Sequence, residues 1–383
     1  MIPFNKPYLT GKEMHYMYQA VYSGKISGNG MFTQKCHQFF EERYGFKKAL
    51  LTTSCTDALE MCAILADIQP GHEVIVPSYT FVSTALAFVR QGANIVFADS
   101  RSDHPGIDED KIEGLITPKT KAIVPVHYAG VACDMDKIME IAGKYNLLVI
   151  EDAAQAIESF YTGADGIKRP LGSIGHMAAF SFHETKNINS GEGGLLAIND
   201  DRFIKRSEII WEKGTNRAEF FRGEINKYGW VDIGSSFLPS EIIAAYLWAQ
   251  LEHIDEIQRK RIELWEGYFN SLKDWTVSLG IKAPVITEYA TNNAHMFYLI
   301  CRDAFQRDLI LNFLKSKGIL AVFHYLSLHK SKFYVERYAG DELCNADSYS
   351  ERLIRLPLYH GLTLEEHNFI LSELKHFSKT NIY

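Results

Sequence analysis

The stretch NLLVIEDAAQ, residues 146–155, runs through four apolar residues and then into two acids, Glu151 and Asp152. Leu147, Leu148, Val149 and Ile150 follow one another without a polar break, the pattern of a strand buried on both faces. Six further runs of this kind surround it: KKALLTT (47–53), EVIVPSY (73–79), ANIVFAD (93–99), KAIVPVHY (121–128), MAAFSF (177–182) and GLLAI (194–198). Helical stretches such as TDALEMCAILADI (56–68) and MDKIMEIAGKYN (135–146) lie between them. Apolar strands alternating with helices predict an α/β fold around a mostly parallel sheet. Ligands of such sheets sit beyond the carboxyl ends of the strands, where Asp152 falls.

Beyond residue 238 the pattern changes. Pro239 and Ser240 open a long helical stretch, EIIAAYLWAQLEHIDEIQRKRIELWEGYF (241–269), long enough to link two domains. HMFYLIC (295–301) and ILAVFHY (319–325) read as strands, and FQRDLILNFLKSKG (305–318) and TLEEHNFILSELKHF (363–377) as helices. Thr363 and Glu366 form a capping-box pair at the start of the last one. The expected division is a large α/β domain over 1–250 and a smaller α+β domain over 251–383. The first thirty residues are candidates to join the smaller one. No internal repeat or low-complexity linker interrupts the chain.

With 383 residues the chain can bury a large core, and 46% hydrophobic with 23% charged residues is an ordinary globular balance. A net charge of −7 argues against a general binder of nucleic acid or membrane surface. Positive contacts to an anionic substrate must therefore be local. Cys36, Cys55, Cys62, Cys133, Cys301 and Cys344 are scattered with no CxxC pair, which disfavours a disulfide framework and lacks metal-ligand spacing. Reduced thiols predict a cytoplasmic protein. MIPFNKPYLTGKE has no apolar core of the signal-peptide kind, and the longest apolar runs are strand-sized.

A second stretch, FSFHETKNINSGEGG (180–194), holds a single lysine, Lys186, between an apolar strand and a turn with Gly191, Gly193 and Gly194. An acid at a strand end plus a lysine in a tight loop is the pair that pyridoxal phosphate chemistry needs. The amine carries the cofactor aldehyde as a Schiff base, and the acid keeps the pyridine nitrogen protonated so that the ring accepts electrons. A protonated pyridine would give Asp152 a counter-ion, since an unpaired buried carboxylate is costly. The same aspartate also reads as a cap for the segment AAQAIES.

In LLTTSCTDALE (50–60) a strand enters a helix through Thr53, Ser54, Cys55, Thr56 and Asp57. Small hydroxylic residues at a helix start offer backbone N–H groups and a favourable dipole to a phosphate. They make an ordinary cap equally well. GxxxxGK[ST] is absent, so nucleoside triphosphate chemistry is not implied. Tyr79 and Phe81 in PSYTFVST (77–84) are flat apolar partners for a ring, or simply core. Ser181 is a further phosphate donor, and Gln155 a partner for a phenolic oxygen on the ring.

Taken together, MIPFNKP, TTSCTDALE, VIVPSYTFVST, VPVHYAGVACDMD, EDAAQ, SFHETKNINSGEGG and FHYLSLH resemble the DegT/DnrJ-type family of pyridoxal-phosphate sugar aminotransferases nearly end to end. That resemblance implies the fold-type I, aspartate aminotransferase-like architecture. It implies that Lys186 attaches the cofactor, Asp152 pairs with the pyridinium, Phe81 stacks on the ring and Gln155 lies beside the phenolic oxygen. Cys55, Thr56 and Ser181 would hold the phosphate. Many relatives send an asparagine from a second subunit through a GYNYR-like segment; here the aligned stretch is GSSFL (234–238), leaving Ser235 or Ser236 as the substitute. Family dehydratases carry histidine in place of the lysine, so Lys186 indicates amino transfer.

HYAGVACDMD, EKGTNRAEFFRG and DIGSSFLPSEIIAAYLWAQLE are similar to members that move the amino group of L-glutamate to a dTDP-linked 4-keto-6-deoxy sugar for polysaccharides such as O-antigen and enterobacterial common antigen. A homodimer with the site at the subunit interface is implied with them. The alternatives are a 3-keto sugar aminotransferase and, in another class, a non-catalytic pyridoxal-phosphate-binding regulator. Lys213, Arg217, Arg222 and Lys227 are candidates for the substrate's diphosphate, or a solvated surface run. His324 and His329 are candidates for the sugar pocket, or satisfied structural histidines.

Overall fold

A computed structural model describes residues 1–380. In chain order the strands are β1 (Lys48–Thr52), β2 (Glu73–Pro77), β3 (Asn94–Ala98), β4 (Thr120–Ile123), β5 (Leu148–Asp152), β6 (Phe160–Thr162), β7 (Lys168–Pro170), β8 (Met177–Ser181), β9 (Gly194–Ile198), β10 (Phe297–Ile300), β11 (Val322–Phe323) and β12 (Leu353–Leu356). The helices are α1 (Glu13–Tyr22), α2 (Met31–Tyr44), α3 (Cys55–Leu65), α4 (Val82–Val89), α5 (Glu109–Ile112), α6 (Met135–Tyr145), α7 (Ile204–Trp211), α8 (Arg217–Phe221), α9 (Glu241–Leu251), α10 (Ile254–Ser278), α11 (Ala304–Ser316), α12 (Cys344–Arg352) and α13 (Leu364–Thr380).

All seven apolar runs of the first two hundred residues become strands of one sheet, ordered β1-β9-β8-β5-β4-β2-β3. From β8 to β3 the pairings are parallel, and β9 runs antiparallel between β1 and β8. Successive side chains point to opposite faces. Leu51, Ile75 and Val149 therefore pack with Phe32, Phe40 and Leu247 on one side, while Leu50, Val74 and Ile150 pack with Leu59, Met61 and Phe88 on the other.

The same alternation splits the two acids that end β5. Glu151 is fully buried and accepts hydrogen bonds from the N–H groups of Gly172 (2.7 Å), Ile174 (2.8 Å) and Gly175 (2.5 Å). It also meets His127 Nε2 at 2.8 Å. This carboxylate ties two segments, 172–175 and the one holding His127, to the strand end and leaves Asp152 facing the other way.

The long stretch 241–269 is two helices, α9 and α10, broken at Glu252 and His253. No proline or glycine causes the break. Ala244, Ala245 and Leu247 of α9 and Ile254 and Ile257 at the start of α10 pack beneath the large sheet, while Leu264, Trp265, Tyr268 and Leu272 pack in a third cluster with Leu299 and Ile354. Glu252 accepts the Tyr16 hydroxyl at 2.6 Å, fixing the turn. Ser240 occupies the cap position of α9 without a side-chain capping bond, whereas Thr363 and Glu366 make the reciprocal capping bonds expected of them.

The third cluster covers a small antiparallel sheet ordered β10-β12-β11. Its central strand, β12, escapes sequence reading because Arg352 and Arg355 break up the run RLIRL. The run 319–325 shortens to the two residues of β11, as Tyr325 takes a left-handed backbone (φ 47). The first thirty residues divide: Ile2 pairs with Ile319 and joins the third cluster, while Ala20 in α1 joins the core under the large sheet. No helix among the described residues is long and apolar enough to cross a membrane.

Glu151→Ala should strand two buried N–H groups and one half-buried one and cost about 3 kcal/mol. A denaturant titration should show a clear fall in midpoint; an unchanged midpoint contradicts this part of the account.

Candidate active site

At the carboxyl end of β5, Asp152 is only 5% exposed. Its Oδ2 accepts from Thr84 Oγ1 at 2.7 Å and its Oδ1 from the Ala154 N–H at 3.1 Å. Burial pushes this carboxyl above the usual range, while Thr84, Ala154 and the charge of Lys186 pull it back. Thr84 is itself bonded to Thr80 Oγ1 at 2.9 Å, so helix α4 holds the acid in one orientation.

Lys186 hangs in the loop between β8 and β9. The loop closes on itself through Phe182 N–H to Gly193 O (2.8 Å) and Glu184 N–H to Gly191 O (2.9 Å). Gly191 takes φ 78, and a Cβ on Gly194 would stand 2.5 Å from the Cys55 nitrogen, so glycine lets β9 close against the start of α3. Among the described residues the Lys186 amine makes no hydrogen bond and no ion pair. Burial, assisted by Arg355, holds it below its usual pKa against the opposing pull of Cys55 and Asp152. Both effects favour a neutral, nucleophilic amine.

A cavity of about 960 Å³ joins these groups. Asp152, Lys186, Cys55, Thr56, Phe81, Gln155 and Ser181 all line it, as does His324. At the start of α3 the N–H groups of Cys55 and Thr56 have no acceptor among the described residues, and Ser54 caps the helix by accepting from Asp57 N–H at 3.1 Å. A capping bond and two free N–H donors thus coexist in one turn. Phe81 is 56% exposed, with Tyr325 at 6.1 Å between ring centres. Gln155 accepts from the Ala129 N–H at 2.6 Å and donates to the Tyr325 hydroxyl at 3.0 Å.

Other candidates fall elsewhere. Tyr79 is core and donates to His324 O at 2.6 Å. His329 is bonded to Ser78 Oγ at 2.7 Å, outside the cavity lining. Within the single chain Ser236 lies in a second cleft, of about 550 Å³, with Lys25, Lys213 and Arg217. Arg222 is ion-paired with Glu208 and Glu224.

The residues that sequence reading missed are Thr84, His295, Tyr325 and Arg355, all on the cavity wall. Arg355 donates Nη2 to Phe323 O at 3.2 Å and lies 4.6 Å from the centre of the Phe4 ring. Among the described residues its Nε is buried without a partner, and no carboxylate pairs with it. A charged residue inside the otherwise apolar run LIRLPL was the available signal.

Residues 7–375 match the model of the DegT/DnrJ/EryC1/StrS aminotransferase family. The chain belongs to that family. It is 30% identical over 387 residues to the spore coat polysaccharide biosynthesis protein SpsC of Bacillus subtilis (strain 168), covering 99% of this chain and 97% of that one. The PLP-form of Spr1654 from Streptococcus pneumoniae superposes with a TM-score of 0.88 at 26% identity, covering 100% of both chains. PseC of Helicobacter pylori, an aminotransferase involved in the biosynthesis of pseudoaminic acid, gives 0.87 at 25% identity and 99% of both chains.

Two substitutions test the electrostatics. In the cofactor-free protein, Arg355→Met removes a charge that lowers the Lys186 pKa, so labelling of Lys186 by an amine reagent should begin at higher pH. Asp152→Asn removes a charge that raises it and should shift labelling to lower pH. Labelling profiles that coincide with wild type would refute the cavity's charge coupling. Separately, Thr84→Val should lower turnover about tenfold while Thr84→Ser retains it, as read from steady-state kcat. Equal rates for the two variants would remove Thr84 from the site.

Proposed function

We propose that this aminotransferase moves the amino group of L-glutamate to a nucleotide-linked 4-keto-6-deoxy sugar, dTDP-4-keto-6-deoxy-D-glucose, to give dTDP-4-amino-4,6-dideoxy-D-galactose. The observation that carries the reading is the unpartnered Lys186 amine in one cavity with buried Asp152. The donor set fits pyridoxal 5'-phosphate: an amine for the aldehyde, a buried acid for the ring nitrogen, free N–H groups at Cys55 and Thr56 with Ser181 for the phosphate, and Phe81 for the ring face. When bound, that cofactor supplies an electron-accepting ring that stabilises negative charge at the carbon losing its proton.

The protein's own residues do the rest. Neutral Lys186 Nζ takes the proton from Cα of glutamate and later delivers one to the sugar carbon that receives the amine. Asp152, held by Thr84 and Ala154, keeps a charged partner fixed above it. Arg355, a cation with spare donors and no carboxylate of its own, takes a carboxylate of the amino donor. Lys213 and Arg217 in the second cleft take the substrate's diphosphate. Ser236 serves the phosphate site of a second copy in a homodimer, since within one chain it faces that separate cleft. The chain divides near residue 252, where the helix breaks.

The sugar assignment is supported by likeness in sequence to a spore coat polysaccharide biosynthesis protein and by the match of motif segments quoted above. Glutamate and dTDP-4-keto-6-deoxyglucose should yield 2-oxoglutarate and a 4-amino sugar by NMR. Lys186→Ala should abolish turnover in a folded protein. Full activity in that variant overturns the reading, and an amine at C3 overturns the substrate.

A further inference from the structure

Beside Lys186, the Asn187 side chain enters a chain of hydrogen bonds whose polarity is fixed by the backbone. Asn187 Nδ2 donates both to Asn293 O at 2.8 Å and to Gln258 Oε1 at 3.1 Å. Gln258 in turn donates Nε2 to Asn293 O at 2.6 Å. A carbonyl oxygen only accepts, so neither amide can be turned around without setting oxygen against oxygen. Asn187 Oδ1 is therefore the end that meets His295 Nδ1, at 2.9 Å, and that nitrogen must carry a proton. The network is anchored on both sides: Asn293 Nδ2 donates to Gln155 O and Ile157 O, each at 2.7 Å, and Arg261 Nη2 donates to His295 O at 2.7 Å.

His295 is 8% exposed and lines the same cavity as Lys186. Burial, then the charges of Lys186, Arg261 and Arg355, hold its pKa well below the ordinary value, so the ring is neutral. With the proton on Nδ1, Nε2 is a bare acceptor, and it makes no hydrogen bond within the protein among the described residues. The guanidinium groups of Arg261 and Arg355 act on it, so an ammonium partner is repelled, and a carboxylate offers no hydrogen to share. A neutral donor is the chemistry that remains, and hydroxyl groups are the neutral donors that a sugar brings into the cavity.

Resting on the proposed sugar-nucleotide reaction, we propose that His295 Nε2 accepts a hydrogen bond from a hydroxyl of the sugar, making His295 a specificity-determining residue that selects a hydroxylated substrate over a deoxygenated one. Lys186 and its neighbour Asn187 then couple the reacting amine to the substrate selector through one loop.

The test uses holoenzyme with dTDP-4-keto-6-deoxyglucose and its 2-deoxy and 3-deoxy analogues. Wild type should lose about tenfold or more in kcat/KM for one analogue, a lost hydrogen bond of ordinary strength. His295→Phe should lose a similar factor on the parent sugar and discriminate no further, while kcat/KM for glutamate stays near wild type. His295→Gln, which keeps an acceptor, should recover part of the discrimination. Nitrogen-15 shifts of histidine-labelled wild type should show Nδ1 protonated and Nε2 unprotonated, a readout that stands even if the phenylalanine variant does not fold. Undiminished discrimination in His295→Phe, equal losses for glutamate and sugar, or a protonated Nε2 overturns the assignment. Wild type that forms no 2-oxoglutarate from glutamate fails one step earlier, at the reaction itself.

Discussion

A buried carboxylate facing a buried amine across an open cavity is the constraint on which this structure turns. Asp152 and Lys186 both lose hydration, and neither is neutralised by a direct ion pair among the described residues. Uncompensated burial of this kind is expensive, and a fold retains it where a ligand completes the site. The surrounding architecture holds the two groups in place. Glu151 locks the end of β5 from one face, Thr84 fixes Asp152 from the other, and the glycine-permitted contact of Gly194 with the start of α3 sets the lysine loop beside a helix N-terminus.

The chain carries a net charge of −7, yet the groups around its concave surfaces include cations without acidic partners. Arg355 reaches the cavity from the small sheet, with the Phe4 ring over its guanidinium. Lys213 and Arg217 line the second cleft. Local positive charge inside an acidic protein suits small anions. Neutral histidines complete the chemistry, because His295 and His324 add hydrogen-bonding capacity without adding charge.

Much of this was legible in the residues. Strands buried on both faces announce themselves as unbroken apolar runs, and seven such runs became the seven strands of the large sheet. Asp152, Lys186, Cys55, Thr56, Phe81, Gln155 and Ser181 sit at strand ends or helix starts, positions that local pattern locates well, and the fold brings them to one cavity. What escaped depends on distance in space. Thr84 and His295 are unremarkable in their own segments, and their roles arise from partners 68 and 108 residues away. β12 was hidden because the arginine that faces the cavity breaks its apolar run. The division of 241–269 into two helices is marked by no proline or glycine, and the Tyr16 hydroxyl that meets Glu252 at the turn comes from 236 residues away. Ser236 falls in a cleft separate from that cavity, an outcome its local sequence does not signal.

The most direct measurement is reductive trapping. Protein loaded with pyridoxal 5'-phosphate is treated with borohydride, digested, and the modified peptide sequenced by mass spectrometry. A pyridoxyl group on the lysine of the peptide spanning FSFHETKNINS, absent from Asp152→Asn or much reduced there, is the expected result. A label on another lysine, with Lys186 left unmodified, would contradict the account at its centre.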